Sequence, residues 1–552
     1  MNASNTSLTA ARNGTNLWLA LGLVLAAGFL ALSLACGEFQ SQINSDLLWP
    51  HIFLHDLFDP LHPVSGWTFG SATFWFPDYA ILVPLNWLCG NSGLEYPLYT
   101  VAIYLITGAT MAWALAATGV ERRKAVIATF LGLDVVLLTQ FLPGHAGWLW
   151  LLGIPCDHGT SVAMGFSLLA LVLGAVRTGK WSRGRSITFL ILLTLGLASN
   201  TLILVHWLAP IGLALAWVAW RVKNLRPVAN GLFWRAAVAL ALAVTQRLAF
   251  ALVQVFFFAK LLQYPPTPAY VWESLSRFVN NFVSGGVFSD HWLLWIMGAA
   301  GIVAAIDGLR PTQETDPVQR MALLAGLLSL FAAWAAPIAT VYWVNPTSIR
   351  YLLNWLLLPG WLLALRACGN IAVERWLPKL SVLATVLAIG LALPRIEIDK
   401  LFFPRPPEAE TLRDFCEHHN LHEGLADFWH THLLTVEWRF GGPQLDNIAN
   451  DFIPCFWCNN TFDYFPPASD GRSLTKPAPQ FIIIDGLDLQ RVLPYFTLGT
   501  VQVTHVGPYT IALLTPEQTK RAGEVITKQT MDLLQGRRAD WLKSQLPPGS
   551  LR

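Results

Sequence analysis

Charge is scarce in this chain: Asp, Glu, Lys and Arg make up 13% of its 552 residues, about half the share usual in soluble globular proteins. A chain so poor in charge, and 54% hydrophobic, needs lipid as part of its solvent. Basic clusters interleaved with aromatics are missing, and the net charge is only +2, which excludes nucleic acid as a partner. The seven Cys show no zinc spacing backed by His. Their one local pattern is Cys455-Phe-Trp-Cys458, which reads either as a disulfide in an exported segment or as two partly buried thiols. Asn459-Asn460-Thr461 spells a glycosylation acceptor, a match that is frequent by chance.

What is abundant is tryptophan and long apolar runs. The 25 Trp often flank those runs, as Trp18, Trp148, Trp150, Trp292 and Trp343 do, where indole favours the bilayer interface. The first run, Leu17 to Ala35, reads as an uncleaved anchor, since about nineteen apolar residues can span. Lys and Arg are absent from Asn13 through Glu121, and Arg122, Arg123 and Lys124 then arrive together after a run from Pro97 to Thr118. Both flanks are therefore expected in the cytoplasm. The piece Tyr79 to Leu88 is too short to cross and reads as an interfacial helix within one external loop, residues 36–96.

The same parity runs along the chain, with basic turns at Arg177 to Arg185, Arg221 to Arg226, Arg310 to Arg320 and Arg366 to Lys379. Between them lie Ala125 to Phe141 with Ser161 to Val176, Ile187 to Ala198 with Thr201 to Trp220, Leu232 to Phe258 with Trp292 to Leu309, and Met321 to Val341 with Tyr351 to Leu365. A last span, Leu380 to Leu393, completes about eleven crossings. The expected fold is an α-helical polytopic membrane protein, amino terminus inside and carboxyl terminus outside, with a transmembrane domain over residues 1–395. After Pro394 charge, His and Pro return, and residues 396–552 read as a smaller exported soluble α/β domain. Thr411 to Leu421 and Pro516 to Leu546 read there as helices. Gln480 to Asp485, Val501 to Val506 and Tyr509 to Leu514 read as strands.

The first external loop gathers Glu38, Asp46, His51, His55, Asp56, Asp59, His62 and Asp78 without a Lys or Arg. Ser45 or Asp46 caps an expected amphipathic helix, on which His51 and His55 share a face four residues apart. That spacing suits a divalent metal, but no Glu stands where a metalloprotease helix needs one, and solvated or lipid-phosphate-contacting imidazoles are the alternative. Asp46, just behind the first span, is placed either to act as a general base or to cap the helix. Asp78 follows the aromatic run Phe74-Trp75-Phe76.

This layout resembles the glycosyltransferase C superfamily, membrane enzymes that move sugars from polyprenyl-phosphate donors on the exoplasmic side. The matching features are Asp46 at the start of the loop, the interfacial run ending near Leu88, the many crossings and the domain after Pro394. The resemblance implies that Asp46 deprotonates an acceptor hydroxyl and that the leaving phosphate meets positive charge; Asp78 is kept beside Asp46 as a candidate catalytic carboxylate, although its neighbourhood after the aromatic run suggests a fixed position. Arg350, at the expected outer start of a span, is the first candidate for that charge and Arg277 the second. His51, His55, His145 and His158 are further candidates to line the substrate cavity. It also implies a polyprenyl-phosphate-linked sugar as donor, a glycan, lipid or protein as acceptor, and membrane lipid as surroundings. Asn44-Ser45-Asp46 carries one acid where the family's signature has two, so a divalent cation stays open as cofactor. The expected location is a bacterial inner membrane.

Two other readings compete. Asp134, Arg235 and Arg247 lie at or near membrane depth, as in a transporter or flippase, although no internal repeat accompanies them. A noncatalytic membrane assembly protein is the third reading, and the acidic first loop counts against it.

Overall fold

The computed structural model describes residues 45–59, 66–69, 72–90, 94–139, 150–156, 158–253, 257–258, 267–284, 292–310, 316–341, 343, 346–368, 371–396, 407–456, 458–465, 474–492, 501–534 and 540. Among them six helices are long and apolar enough to cross a membrane: Glu95–Ala117, Gly159–Thr178, Leu204–Arg221, Lys223–Ala249, Pro317–Ala339 and Ser348–Ala367. The expected eleven exceed this number. The other apolar runs of the described region are helical too, at Arg122–Thr139, Arg183–Ser199, Trp292–Gly308 and Ile371–Ala392, but charge or a short apolar core sets them apart. Leu17 to Ala35 lies outside the described residues.

In chain order the elements are α1 Ser45–Phe58, β1 Trp67–Phe69, α2 Ala80–Cys89, α3 Glu95–Ala117, α4 Arg122–Thr139, α5 Gly159–Thr178 and α6 Arg183–Ser199. After a π-helical turn at Leu204–Leu208 come α7 Ala209–Arg221, α8 Arg226–Val253, β2 Phe257–Phe258, α9 Pro268–Val283, α10 Trp292–Gly308 and α11 Pro317–Ala339. A 3-10 turn at Pro346–Leu352 leads into α12 Leu353–Ala367, followed by α13 Ile371–Ala392. Helix α5 is apolar on all sides and sits at the centre, 94% of its apolar window buried, whereas only 22% of the window in Lys223–Ala249 is buried. Close packing around α5 needs small residues: a Cβ on Gly165 would fall 2.0 Å from the Trp207 ring.

The outer helices turn Phe233, Trp234, Leu248, Val303, Phe331 and Leu383 outward. Such a continuous apolar surface is far too large for water, and the chain is built as a helical integral membrane protein. Helix α2, ten residues long, exposes Trp87 and Leu88, as expected of a helix too short to cross.

One end of the bundle carries the basic turns. Helices α3, α5, α7 and α12 all finish there, at Ala117 before Arg122, at Thr178 before Lys180, at Arg221, and at Ala367 beside Arg366. Their other ends, at Glu95, Gly159, Leu204 and Ser348, meet the first loop and each other.

The region after the bundle holds α14 Pro407–His418, β3 Glu423–Ala426, α15 Phe428–Glu437, β4 Gln444–Ala449, β5 Ile453–Pro454, β6 Asn459–Asn460, β7 Phe481–Ile483, β8 Gln502–Val506, β9 Tyr509–Leu513 and α16 Pro516–Leu533. Six strands form a sheet in the order β5-β4-β3-β7-β9-β8. β3 runs parallel to β4 and β7, and β9 is antiparallel to β7 and β8. The three strands read from the sequence are present with slightly shorter bounds, and β8 and β9 do hinge at Gly507, whose φ is +58°. The parallel pair β3 and β4 was not legible, because two short runs joined through α15 lack a strand alternation.

Candidate functional site

The first loop is bound into the protein on both sides. Its strand β1 lies between β2, parallel, with Thr68 opposite Phe257, and β6, antiparallel, with Trp67 opposite Asn460. Thr461 Oγ1 donates to Gly66 O at 2.8 Å and Thr68 Oγ1 to Asn459 O at 3.0 Å. The segment between β5 and β7 thereby docks on the loop, and Asn459 and Asn460 are buried. Asn459 in the glycosylation pattern is therefore inaccessible in the folded protein.

Three carboxylates of this region, Asp56, Asp78 and Glu95, are buried, and the side-chain hydrogen bonds and ion pairs they make among the described residues run to neutral donors or to an imidazole. Asp56 Oδ2 accepts from Trp67 Nε1 at 2.8 Å and from Asn460 Nδ2 at 2.7 Å. Asp78, fully buried, accepts from the Tyr99 hydroxyl at 2.6 Å, the Thr160 hydroxyl at 2.7 Å and the Cys156 amide at 2.9 Å. Burial raises its carboxyl to about 6 against the pull of those donors. Glu95 Oε1 lies 2.6 Å from His51 Nδ1. The sequence reading looked for a cation to neutralise the loop. Neutral hydrogen-bond donors meet Asp56 and Asp78, and the His51 imidazole stands beside Glu95; Glu95 went unnoticed because it stands at the end of the loop beside a span.

This changes the reading of several residues. Helix α1 is not amphipathic: residues 48–54 are buried all round it. His51 is buried against Glu95 rather than solvated, and the His55 ring stacks on Phe440 with centroids 3.9 Å apart and planes 8° from parallel. Phe440 also faces His51 at 5.6 Å. The shared face is real, and a phenyl ring from beyond α15 lies against it, with His51 buried and His55 partly exposed. Asp78 reads as a positioning residue, since all its described contacts tie the loop to α3 and α5. Arg277 is half-exposed on α9 and paired with Glu273, one turn away.

The polar groups that do gather lie around His158, which precedes α5. Its Nδ1 stands 3.1 Å from Asn200 Nδ2, an acceptor arrangement that leaves the proton on Nε2. Its ring lies 5.1 Å from Tyr351 and 6.0 Å from Phe74. Arg350 stands over the same Tyr351 ring, 5.6 Å from its centroid. Burial, then the Arg350 charge and His206, hold the His158 imidazole well below its ordinary range. The loop tip is tied to this spot: Thr73 N and Phe74 N donate to Ser199 O, and Phe76 N donates to Ser199 Oγ.

His206, buried and in the π-helical turn, was missed in the sequence, although a lone imidazole in an apolar run is the relevant signal. Asn200 was missed because it falls between two spans.

Asp46 is the second residue of α1, and its side chain lies outside the described residues, as do His145 and Asp157. Asp46 shares a helix face with Trp49 and Phe53 by spacing, and both of those rings pack on Tyr79, the neighbour of Asp78. Among the described residues no three of His, Cys, Asp and Glu converge to hold a metal. No family model, curated protein or solved structure matches the chain.

Proposed function

We propose that this protein is a membrane glycosyltransferase that takes a sugar from a polyprenyl-phosphate donor at the outer leaflet. The observation that carries the reading is the meeting of Arg350, His158, Asn200 and His206 at the end of the bundle to which Asp78 pins the first loop. A guanidinium beside a buried imidazole and an amide suits a phosphate with one face in lipid. Asp46, one turn before Trp49 and two before Phe53, the rings that pack on Tyr79, is the general base for an acceptor hydroxyl in this scheme. The hydroxyl oxygen attacks the anomeric carbon, its proton passes to Asp46, and the phosphate leaves toward Arg350.

The bundle's two ends support an orientation for this scheme. Basic turns mark the cytoplasmic side, so the opposite end, with the first loop and His158, faces out. Contact between the first loop and the C-terminal region supports one side for both, and with it an even number of crossings between them. Ten helices, α3 to α8 and α10 to α13, meet that requirement.

The test is transfer of radiolabelled sugar from polyprenyl-phosphate donors by the purified protein in lipid. Turnover by the parent that is lost in Asp46→Asn supports the scheme. Absence of turnover with every donor favours a transporter.

A further inference from the structure

Helix α9 is 16 residues long and carries Glu273, Arg277, Asn280 and Asn281, so it is too short and too polar to cross a membrane. It starts where Thr267 Oγ1 accepts from Tyr270 N and Pro268 takes the first helical position. With about 3.6 residues per turn, its side chains divide among three faces. Ser274, Phe278 and Phe282 turn to the bundle. The Ser274 hydroxyl donates to Trp343 O at 3.4 Å, the Phe278 ring lies 4.8 Å from Trp343 and 5.1 Å from Trp334, and the Phe282 ring lies 4.9 Å from Trp295. Glu273, Arg277 and Asn280 form an exposed polar face, on which Glu273 and Arg277 pair. On the third face Trp272, Val279 and Val283 are 69%, 47% and 74% exposed.

The bundle contacts set the level of α9. Trp295 lies at the start of α10, Trp334 near the end of α11, and Trp343 just beyond it. All three belong to the end opposite the basic turns, since α10 finishes at Gly308 before Arg310 and α11 begins at Pro317. At that level α10 exposes Trp292 and Ile296, and α9 meets α10 at Trp295, next to Ile296. The apolar stripe of α9 thus continues the lipid-facing surface of the bundle.

We propose that α9 lies in the plane of the membrane surface, with lipid acyl chains at the headgroup boundary as the occupant of its Trp272–Val279–Val283 face. An indole suits that depth, where its apolar body meets chains and its N–H meets headgroups, while Glu273, Arg277 and Asn280 face water. A helix held by lipid alone needs a wide apolar face. Helix α9 is held on a second side by the aromatic cluster, so a narrow stripe is enough. Because Trp343 leads toward the 3-10 turn that carries Arg350, the lipid contact of α9 also steadies the approach to that turn. The inference requires the bundle to sit in lipid, and depends neither on the transfer reaction nor on which leaflet is the outer one.

The experiment is spin labelling of single Cys residues introduced on α9 in the full-length protein, reconstituted in phosphatidylcholine vesicles, with the signal of the labelled parent subtracted. Power saturation with oxygen, which partitions into acyl chains, and with a neutral nickel chelate, which stays in water, reports what each label touches. The expected result is that oxygen exceeds nickel at Trp272→Cys, Val279→Cys and Val283→Cys and that nickel exceeds oxygen at Glu273→Cys and Asn280→Cys. All five positions are at the surface, and three labels on the stripe keep the result readable if one variant misfolds. Nickel in excess at all five would put α9 in water and overturn the proposal. Stripe labels shielded from both reagents would overturn it too, because a protein surface, a second copy or a partner, would then cover the stripe.

Discussion

Asp78 is a candidate catalytic carboxylate whose neighbourhood suggests a fixed position, and its contacts hold it in place. Two hydroxyls and one amide converge on it, and no water-facing oxygen is left. Asp78→Ala leaves those buried donors without an acceptor and is expected to destabilise the protein by about 3 kcal/mol, whereas Asp78→Asn keeps one acceptor and costs about 1 kcal/mol. Thermal unfolding in lipid reads both. The sign with pH follows from the raised carboxyl: the fold prefers the protonated form, so its contribution is full below about pH 4 and lost as pH rises through about 6. The stability difference between parent and Asp78→Asn should therefore change across that window and be flat above it. Arg350 belongs to the other class, a charge with an imidazole beside it. Arg350→Ala is expected to lower kcat by about a hundredfold, as for loss of one oxyanion donor, with unfolding unchanged, and Arg350→Lys should recover only part because the bidentate fork is lost.

At the scale of elements, α1 and the segment ending at Phe440 depend on each other. The spacing of His51 and His55 was legible in the sequence as one helix face, and the structure keeps it. What covers that face is some 390 residues downstream, and periodicity carries no information on such a distant contact. The same holds for β1, which has only three residues and no alternation to read, and which exists because β2 and β6 flank it. Phe440→Ala removes the ring stacked on His55 and is expected to loosen the C-terminal region. Faster modification of His51 and His55 by diethyl pyrocarbonate, and faster proteolysis after residue 396, would register the change. Unaltered rates would mean that β1 and Asp56 hold the interface alone.

For the whole molecule, hydropathy and the placement of Lys and Arg made the membrane class, the positions of the helices and the change to a sheet-containing C-terminal region legible. The number of spans was not, because α4, α6, α10 and α13 combine helical length with charge or shortness and gain their places by packing. The site was half legible. His158 and Arg350 were found singly from their loops, while Asn200, His206 and Glu95 became visible only when helix ends met. A tag at the carboxyl terminus should be reached by an impermeant protease in intact cells stripped of any outer membrane. Protection there would reverse the bundle and remove the outer-leaflet reading. The central claim, that the first loop and the His158–Arg350 cluster serve sugar transfer from a lipid phosphate, is tested most directly by the radiolabel assay run on parent, Asp46→Asn and Arg350→Ala at equal folded concentration. The account predicts transfer by the parent, none detectable for Asp46→Asn and about a hundredth for Arg350→Ala; equal transfer by all three, or none by the parent with any polyprenyl-phosphate donor, would contradict it.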